Sequence, residues 1–323
     1  MHVQIPSAPA PSSPLTESYS YHSKLPTAAG PYILGVDEAG RGPVLGPLVY
    51  GVAYCPVAYR EQLEELGFAD SKTLTPEIRS SLLETLDSDP ENLAWSVRVI
   101  SPSAISSGML RRPPINLNVQ SQDATIHLIR AVLASGIHLT EVYVDALGST
   151  VTYQAYLSGL FPGIDFTVTN QADSKFKIVG AASVAAKVTR DACLEGWVFE
   201  EGVREDRQDG EVQGLPEVAV CSGYPSGAAF SASLRDTLLI VGMVDPKTQA
   251  WLKNSIEPTF GFPKLVRFSW TTVKLLLDKH AHAVRWTDEG QASLIKAFES
   301  GKGREKDRCA VARDLKLVSV ATL

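Results

Sequence analysis

The chain has 323 residues, of which 44% are hydrophobic and 20% are charged, and this balance excludes an intrinsically disordered protein. Its formal net charge of −6 by itself argues against a nucleic-acid partner. The four cysteines form no CxxC pair, so we expect neither a structural zinc site nor a disulfide framework. The apolar stretches are too short to span a bilayer and no signal peptide is evident, so we expect no membrane partner.

Charge is distributed unevenly along the chain. Residues 264–323 hold 12 Lys and Arg against 7 Asp and Glu, whereas the rest of the chain is acidic. An acidic body can hold cations while a basic end binds phosphates, although ordinary solvated surface accounts for the pattern equally well.

The first 30 residues are rich in Ser, Pro and Ala without periodicity, so we predict a disordered tail over 1–30. From Pro31 onward, the hydrophobic pattern predicts strands and helices. The predicted strands are 32–37, 44–55, 93–101, 141–148 and 165–170. The predicted helices of this part are 59–67, 76–87 with Thr75 as N-cap, 121–136 and 177–199.

Three successive strands followed by helix-linked strands indicate an α/β fold. We predict a mixed five-stranded sheet flanked by helices, within a core over 31–226. Amphipathic patterns at 270–284 and 291–298 predict a smaller helical C-terminal region over 245–300, followed by a basic tail over 301–323.

Acidic residues stand at the ends of these elements. Asp37 and Glu38 end the first predicted strand, Asp145 follows the apolar part of the fourth, and Asp173 lies between the fifth strand and the long helix. Since ligand sites in open α/β sheets form at strand ends, we expect the four carboxylates to converge. A solvated Asp-Glu pair at a strand end is the plainer interpretation of Asp37 and Glu38 alone.

Converging buried carboxylates repel each other unless a cation lies between them. Oxygen ligands without a His or Cys cluster favour Mg²⁺ or Mn²⁺ over Zn²⁺, and two such ions are typical of phosphodiester hydrolysis. Neighbours on a regular strand point to opposite faces, so we expect the strand to break at Glu38 if Asp37 and Glu38 share a site. The residues alone therefore predict a metal-dependent phosphodiesterase.

The motifs around these acids resemble type 2 ribonucleases H (ribonuclease HII), specifically their eukaryotic catalytic chain. The resemblance runs from about residue 32 to residue 298, apart from one insert. The motifs that carry it are GVDEAGRGPVLGP at 35–47, ADSKTL at 69–74, VYVDALG at 142–148 and QADSKFKIVGAASVAAKVTRD at 171–191.

The resemblance implies a ribonuclease H-like fold and an endoribonuclease that hydrolyses the RNA strand of RNA–DNA hybrids. It also implies incision 5′ of single ribonucleotides in duplex DNA, a nuclear location, and accessory B and C subunits. Asp37, Glu38, Asp145 and Asp173 would bind two ions of Mg²⁺ or Mn²⁺. The substrate-binding residues it implies are Gly40, Arg41, Gly42, Lys72, Arg190 and Tyr224.

Several of these residues have plainer interpretations. Without the resemblance, Lys72 is equally a surface lysine and Tyr224 an ordinary turn aromatic. The small residues 180–182 are expected to serve close helix–sheet packing, and Phe268 and Trp270 to be core residues rather than base-stacking platforms.

An insert interrupts the resemblance after CSGYPS, where 18 residues, 227–244, precede DPKTQAW. Removing them places Asp245 directly after Ser226, and the residues at both ends of the insert are compatible with GT and AG splice sites. We hypothesise a retained intron or gene-model error; a true surface loop is the alternative. If the insert is present, a catalytically impaired nucleic-acid-binding or assembly subunit is the alternative to an active enzyme.

Overall fold

The fold is taken from a computed structural model, which describes residues 5–10, 13–68, 74–146, 148–201, 204–205, 212–213 and 246–283. The chain divides into two compact units, Met1–Ala281 and His282–Leu323, and every element below belongs to the first. The insert 227–244, the helix predicted at 291–298, the basic tail, Lys72 and Tyr224 lie outside the described residues.

A six-stranded mixed sheet forms the centre of this unit. Its strands are β1 (Tyr19–His22), β2 (Tyr32–Ala39), β3 (Leu48–Pro56), β4 (Ala94–Ile100), β5 (Leu139–Asp145) and β6 (Asp165–Thr169). They lie in the order β1-β4-β3-β2-β5-β6; neighbours run antiparallel from β1 to β2, whereas β2, β5 and β6 run parallel. A separate two-stranded ladder pairs β7 (Arg204–Glu205) with β8 (Val212–Gln213). The α/β class and the mixed sheet are confirmed, with one strand more than the predicted five.

Helices cover both faces of the sheet. The four helices predicted within the core are present, and three more, Pro102–Leu110, Thr150–Leu160 and Ala172–Lys175, were not predicted. The helices are α1 (Arg60–Glu65), α2 (Pro76–Ser88), α3 (Pro102–Leu110), α4 (Leu117–Ala134), α5 (Thr150–Leu160), α6 (Ala172–Lys175), α7 (Lys177–Glu195), α8 (Pro246–Ser255) and α9 (Thr271–His280). The Thr75 hydroxyl accepts a hydrogen bond from the Ile78 N–H at 3.4 Å, so the predicted N-cap of α2 is confirmed.

The additional strand lies in the segment predicted to be a disordered tail, and it corrects that prediction for this stretch. Strand β1 pairs antiparallel with β4 and covers that edge of the sheet. Leu15 is buried, and the Ser7 hydroxyl lies 2.6 Å from the Thr189 hydroxyl of α7. The segment gains its order from tertiary pairing rather than from its own composition, which is why composition failed to predict it.

Helix α7 packs against the sheet at unusually close range because glycines face it. A Cβ added to Gly35 of β2 would lie 2.6 Å from the Val179 nitrogen, and one added to Gly51 of β3 would lie 3.1 Å from the Ala186 Cβ. Gly180, Ala181 and Ala182 are buried in this contact, so the predicted packing role of these small residues is confirmed. The close contact brings polar residues of α7 to the end of β2.

Residues 246–281 join the same unit through a third apolar cluster. Val44 and Leu45, which precede β3, pack there with residues of α8, of α9 and of the segment between them. An isolated bridge pairs Leu45 with Val266. Among the described helices, none has the length and apolarity that a bilayer span requires.

Candidate active site

Three carboxylates converge where the parallel strands β2 and β5 end. One oxygen each from Asp37, Glu38 and Asp145 lies within 4.8 Å of the other two. The pairing of β2 with β5 ends at Val36 opposite Val144, so Asp37 and Asp145 occupy the next position of each strand. Three of the four predicted acids are therefore neighbours, as their positions in the sequence predicted.

The expected break of the strand at Glu38 is wrong. β2 continues to Ala39 and remains paired with β3 through Asp37, Glu38 and Ala39. Alternation places Asp37 on the face covered by α7 and Glu38 on the opposite face, near the Tyr50 hydroxyl. Both acids reach one cluster because β5 ends beside them at Asp145, so their side chains meet around the end of the strand pair.

Burial dominates the electrostatics of this cluster. Asp37 is 5% exposed, and desolvation, followed by the negative charge of Asp145, raises the pKa of its carboxyl to about 7. A hydrogen bond from Ser183 and the charge of Lys187, both on α7, act in the opposite direction. On the other face, burial and then the charge of Glu38 raise the pKa of Tyr50.

Asp173, the fourth predicted acid, lies outside the group of three but is tied to it. It is buried in the short helix α6, and its Oδ1 accepts a hydrogen bond from the Ser174 N–H at 3.1 Å. The preceding Ala172 N–H donates to the Asp145 Oδ1 at 2.8 Å. Gln171, with φ of 55°, turns the chain into α6 in the left-handed region.

The donor set of this cluster suits a divalent cation. Its atoms are carboxylate oxygens, the ligands that Mg²⁺ and Mn²⁺ prefer. The raised pKa of Asp37 reflects desolvation and then repulsion from Asp145, and a bound cation would offset both. Asp37, Glu38 and Asp145, with Asp173 beside them, are the residues that would hold such ions.

The Gly40-Arg41-Gly42 turn directly follows the acids at the end of β2. Gly40 has a φ of 82°, and a Cβ there would lie 2.6 Å from the Pro47 carbonyl oxygen, so only glycine fits without strain. Gly42 is exposed, and a Cβ added to it would meet nothing within 4 Å. Space for a ligand therefore exists at Gly42 but not at Gly40.

The Arg41 side chain reaches α4. Its guanidinium donates to the Ser121 hydroxyl at 3.0 Å and to the Asn118 side-chain oxygen. These two residues were not predicted, and no motif in the sequence indicated them.

Arg267 and Trp270 hold the same turn from its other side, through its backbone carbonyls. Trp270 is among the predicted core residues, whereas Arg267 has no predicted role. Trp270 does pack against two apolar clusters, so that expectation is confirmed in part. The signal that could have identified Arg267 is a lone arginine between Val266 and Phe268, in an otherwise apolar stretch.

Arg190, the predicted phosphate contact on α7, is buried with 2% exposure. A Cβ on Gly40 would collide with its side chain, so Arg190 packs directly beneath the turn. Its Nη1 lies 3.7 Å from the Asp191 carboxylate. Phosphate binding by Arg190 stays a prediction, as do the roles of Lys72 and Tyr224.

A mixed sheet flanked by helices, with clustered acids at the ends of its central strands, defines a ribonuclease H-like hydrolase. The sequence pattern of the family Ribonuclease HII matches residues 34–212. The chain belongs to the ribonuclease HII family, and it is a ribonuclease H.

Relatives named as the A subunit of ribonuclease H2 match over most of their length. The one from Homo sapiens is 43% identical over 82% of this chain and 80% of the relative. The one from Arabidopsis thaliana is 42% identical over 88% of this chain and 83% of the relative.

Solved structures share the fold. Ribonuclease H2 from Pyrococcus horikoshii OT3 is 29% identical and aligns with a TM-score of 0.54 over 77% of this chain and 98% of that one. The RNase HII in a PCNA:RNase HII complex from Archaeoglobus fulgidus is 25% identical, with a TM-score of 0.52 over 80% of this chain and 99% of that one.

Proposed function

We propose that the chain hydrolyses the RNA strand of RNA–DNA hybrids and also incises duplex DNA 5′ of single embedded ribonucleotides. The observation that carries this proposal is the position of the acidic cluster just before a glycine turn whose Gly42 is exposed. Asp37 and Glu38 lie two to five residues from Gly40 and Gly42, on the same strand and its continuation. The carboxylates that would hold the metal ions and the glycines that would contact the ribose thereby lie in one short segment.

The acidic cluster would carry out the hydrolysis of the phosphodiester. Two divalent ions, when bound there, supply an activated water and stabilise the leaving oxygen of the phosphodiester. Asp37 acts as a carboxylate in this state, since a bound cation favours the ionised form that burial disfavours. Lys187 and Ser183 support the charged form of Asp37 from α7.

The Gly40–Gly42 turn would recognise the ribose. Backbone groups at Gly42 approach a sugar closely because nothing fills the space of the missing Cβ. Tyr224, which we propose stacks on the sugar of the following deoxynucleotide, would select the junction between RNA and DNA. Lys72 and Arg190 are proposed to bind phosphates.

An incision assay on a duplex with one ribonucleotide tests this proposal. The protein would be made as the full chain and without residues 227–244, each with Mg²⁺, with Mn²⁺ and with a chelator. We expect cutting 5′ of the ribonucleotide that depends on the divalent ion, and no cutting of the same duplex made entirely of DNA. Absence of cutting in all preparations that fold would refute it.

The insert favours a second candidate, a catalytically impaired nucleic-acid-binding or assembly subunit. It directly follows the SGYP motif that contains Tyr224, and so it can displace that residue. The same assay separates the candidates: an inactive full chain beside an active chain without 227–244 supports this second function.

The relatives are named as one lettered subunit of ribonuclease H2, which indicates assembly with other chains. We propose that this chain works with accessory B and C subunits and in the nucleus, where its DNA substrate lies. Co-expression with both accessory chains should yield one species of three chains on size-exclusion chromatography, and imaging of the tagged chain in cells should place it in the nucleus.

A further inference from the structure

Two side chains far along the sequence bind the carbonyls of the Gly40–Gly42 turn. Arg267 donates from Nη2 to the Gly40 oxygen at 2.5 Å and from Nη1 to the Arg41 oxygen at 3.1 Å. Trp270 donates from Nε1 to the Gly42 oxygen at 3.0 Å. Three consecutive carbonyls are thus bound by the pair Arg267 and Trp270, which we call the carbonyl clamp.

The clamp is itself fixed in place. Arg267 is fully buried, its Nε donates to the Gly46 oxygen at 2.8 Å, and its guanidinium carbon lies 4.9 Å from the centre of the Trp270 ring. The backbone beside it is also paired, since the Arg267 N–H donates to the Val44 oxygen at 2.9 Å. A buried guanidinium needs acceptors for its N–H groups, so the arginine and the turn stabilise one another.

Bound carbonyls determine where the amides of the turn point. In a planar trans peptide, the C=O of one residue and the N–H of the next point in opposite directions. Arg267 holds the Gly40 and Arg41 oxygens, which directs the Arg41 and Gly42 N–H groups away from it. Trp270 holds the Gly42 oxygen and so fixes the carbonyl end of the residue that carries the second of these N–H groups. The next residue is Pro43, which has no N–H, so these two amides are the donors that this part of the turn can offer.

We infer that Arg267 and Trp270 are positioning residues that set the selectivity of this site for ribose over deoxyribose, by aiming the Arg41 and Gly42 amides at the 2′-hydroxyl. This inference rests on the proposed function of the turn. Neither residue needs to touch the substrate, and phosphate binding does not depend on them.

The test is the affinity of the full chain for two duplexes that differ by one 2′-hydroxyl, measured by fluorescence anisotropy with Ca²⁺ to suppress cutting. Trp270→Phe keeps a ring over Arg267 and removes one donor, so we expect the ratio of the two affinities to fall about fivefold. Arg267→Lys keeps the charge but cannot reach three carbonyls, so we expect a fall of about tenfold or more. Affinity for the all-DNA duplex should stay at the wild-type value.

Matched controls separate positioning from general damage. Trp251→Phe removes an indole from the same third cluster, where Trp251 stacks on Phe199, and Arg130→Lys changes an exposed arginine of α4. Both should keep the wild-type ratio. The rise in melting temperature with Mn²⁺ should be unchanged in all four variants, because the acidic cluster is intact.

The outcomes distinguish this inference from the proposed function. A folded Trp270→Phe protein with the wild-type affinity ratio would refute the positioning role of the clamp. This variant alone decides the question if Arg267→Lys does not fold. Equal losses of affinity for both duplexes would also overturn it. A wild-type protein that binds both duplexes equally would instead refute ribose recognition by the turn, and the clamp with it.

Discussion

The Asp145 carboxylate accepts a hydrogen bond from the Ala172 N–H at 2.8 Å, and this contact joins the end of β5 to the helix that carries Asp173. Asp145 is therefore both a member of the three-carboxylate group and an anchor for the fourth acid. Its negative charge and its role as an acceptor can be separated by substitution.

Asp145→Asn keeps an oxygen that can accept the Ala172 N–H but removes the charge. We expect cleavage to fall on the order of 10²–10³-fold with little change in stability. Asp145→Ala removes both, so it should also cost about 1 kcal/mol of unfolding free energy. Cleavage rates and urea denaturation measure the two effects, with Asp165→Asn at the exposed start of β6 as the control. Full cleavage by Asp145→Asn would contradict the metal-binding role.

The raised pKa of Asp37 predicts a pH dependence of stability in the absence of metal. Its carboxyl titrates near pH 7 in the folded protein against 3.8 ordinarily, so between these values the folded state holds more protons than the unfolded state. Stability should therefore fall as pH rises from 4 to 7. Asp37→Asn should flatten this dependence, and Mn²⁺ should restore stability of the wild type at pH 8. Melting temperatures across this range provide the measurement, and a slope shared by wild type and Asp37→Asn would contradict it.

The two glycines of the turn should respond differently to one added methyl group. Gly40→Ala should cost about 2–4 kcal/mol, since its positive φ and the neighbouring Pro47 oxygen both oppose a Cβ. Gly42→Ala should change stability by less than about 0.5 kcal/mol because its Cβ enters open space. If that space receives the ribose, Gly42→Ala still lowers cleavage, on the order of 10²-fold. Chemical denaturation and cleavage rates give both numbers; wild-type cleavage by Gly42→Ala would place the substrate elsewhere.

The N-terminal segment should contribute to stability. Leu15 is 7% exposed and packs in the main core cluster, so Leu15→Ala should cost about 2 kcal/mol. Leu25, only ten residues on, is 48% exposed, and Leu25→Ala should cost less than about 0.5 kcal/mol. Guanidinium denaturation compares them. Equal effects would mean that this segment is not packed on the domain in solution.

The sequence predicted those strands and helices that a local hydrophobic pattern specifies. Apolar runs placed β2 and β5, and because ligand sites in α/β sheets form at strand ends, Asp37 and Asp145 could be expected to meet. Strand β1 could not be predicted, since its order comes from pairing with β4. Arg267 stands out locally only as a charged residue in an apolar stretch, and its bonds to the turn, which span 227 residues to Gly40, could not be predicted from its neighbours. Asp37 and Glu38 point to opposite faces and share one cluster only because β5 ends beside them. The position where β5 ends cannot be predicted from the sequence of β2.

The distance in sequence between the turn and its clamp has a consequence for synthesis. A nascent chain that has left the ribosome through residue 226 contains all four acids and the glycine turn, but not Arg267 or Trp270. The acidic cluster can then assemble before the turn is held in its final shape. If the clamp sets selectivity for the sugar as proposed, that selectivity is acquired after the acidic cluster has assembled, during the last part of translation.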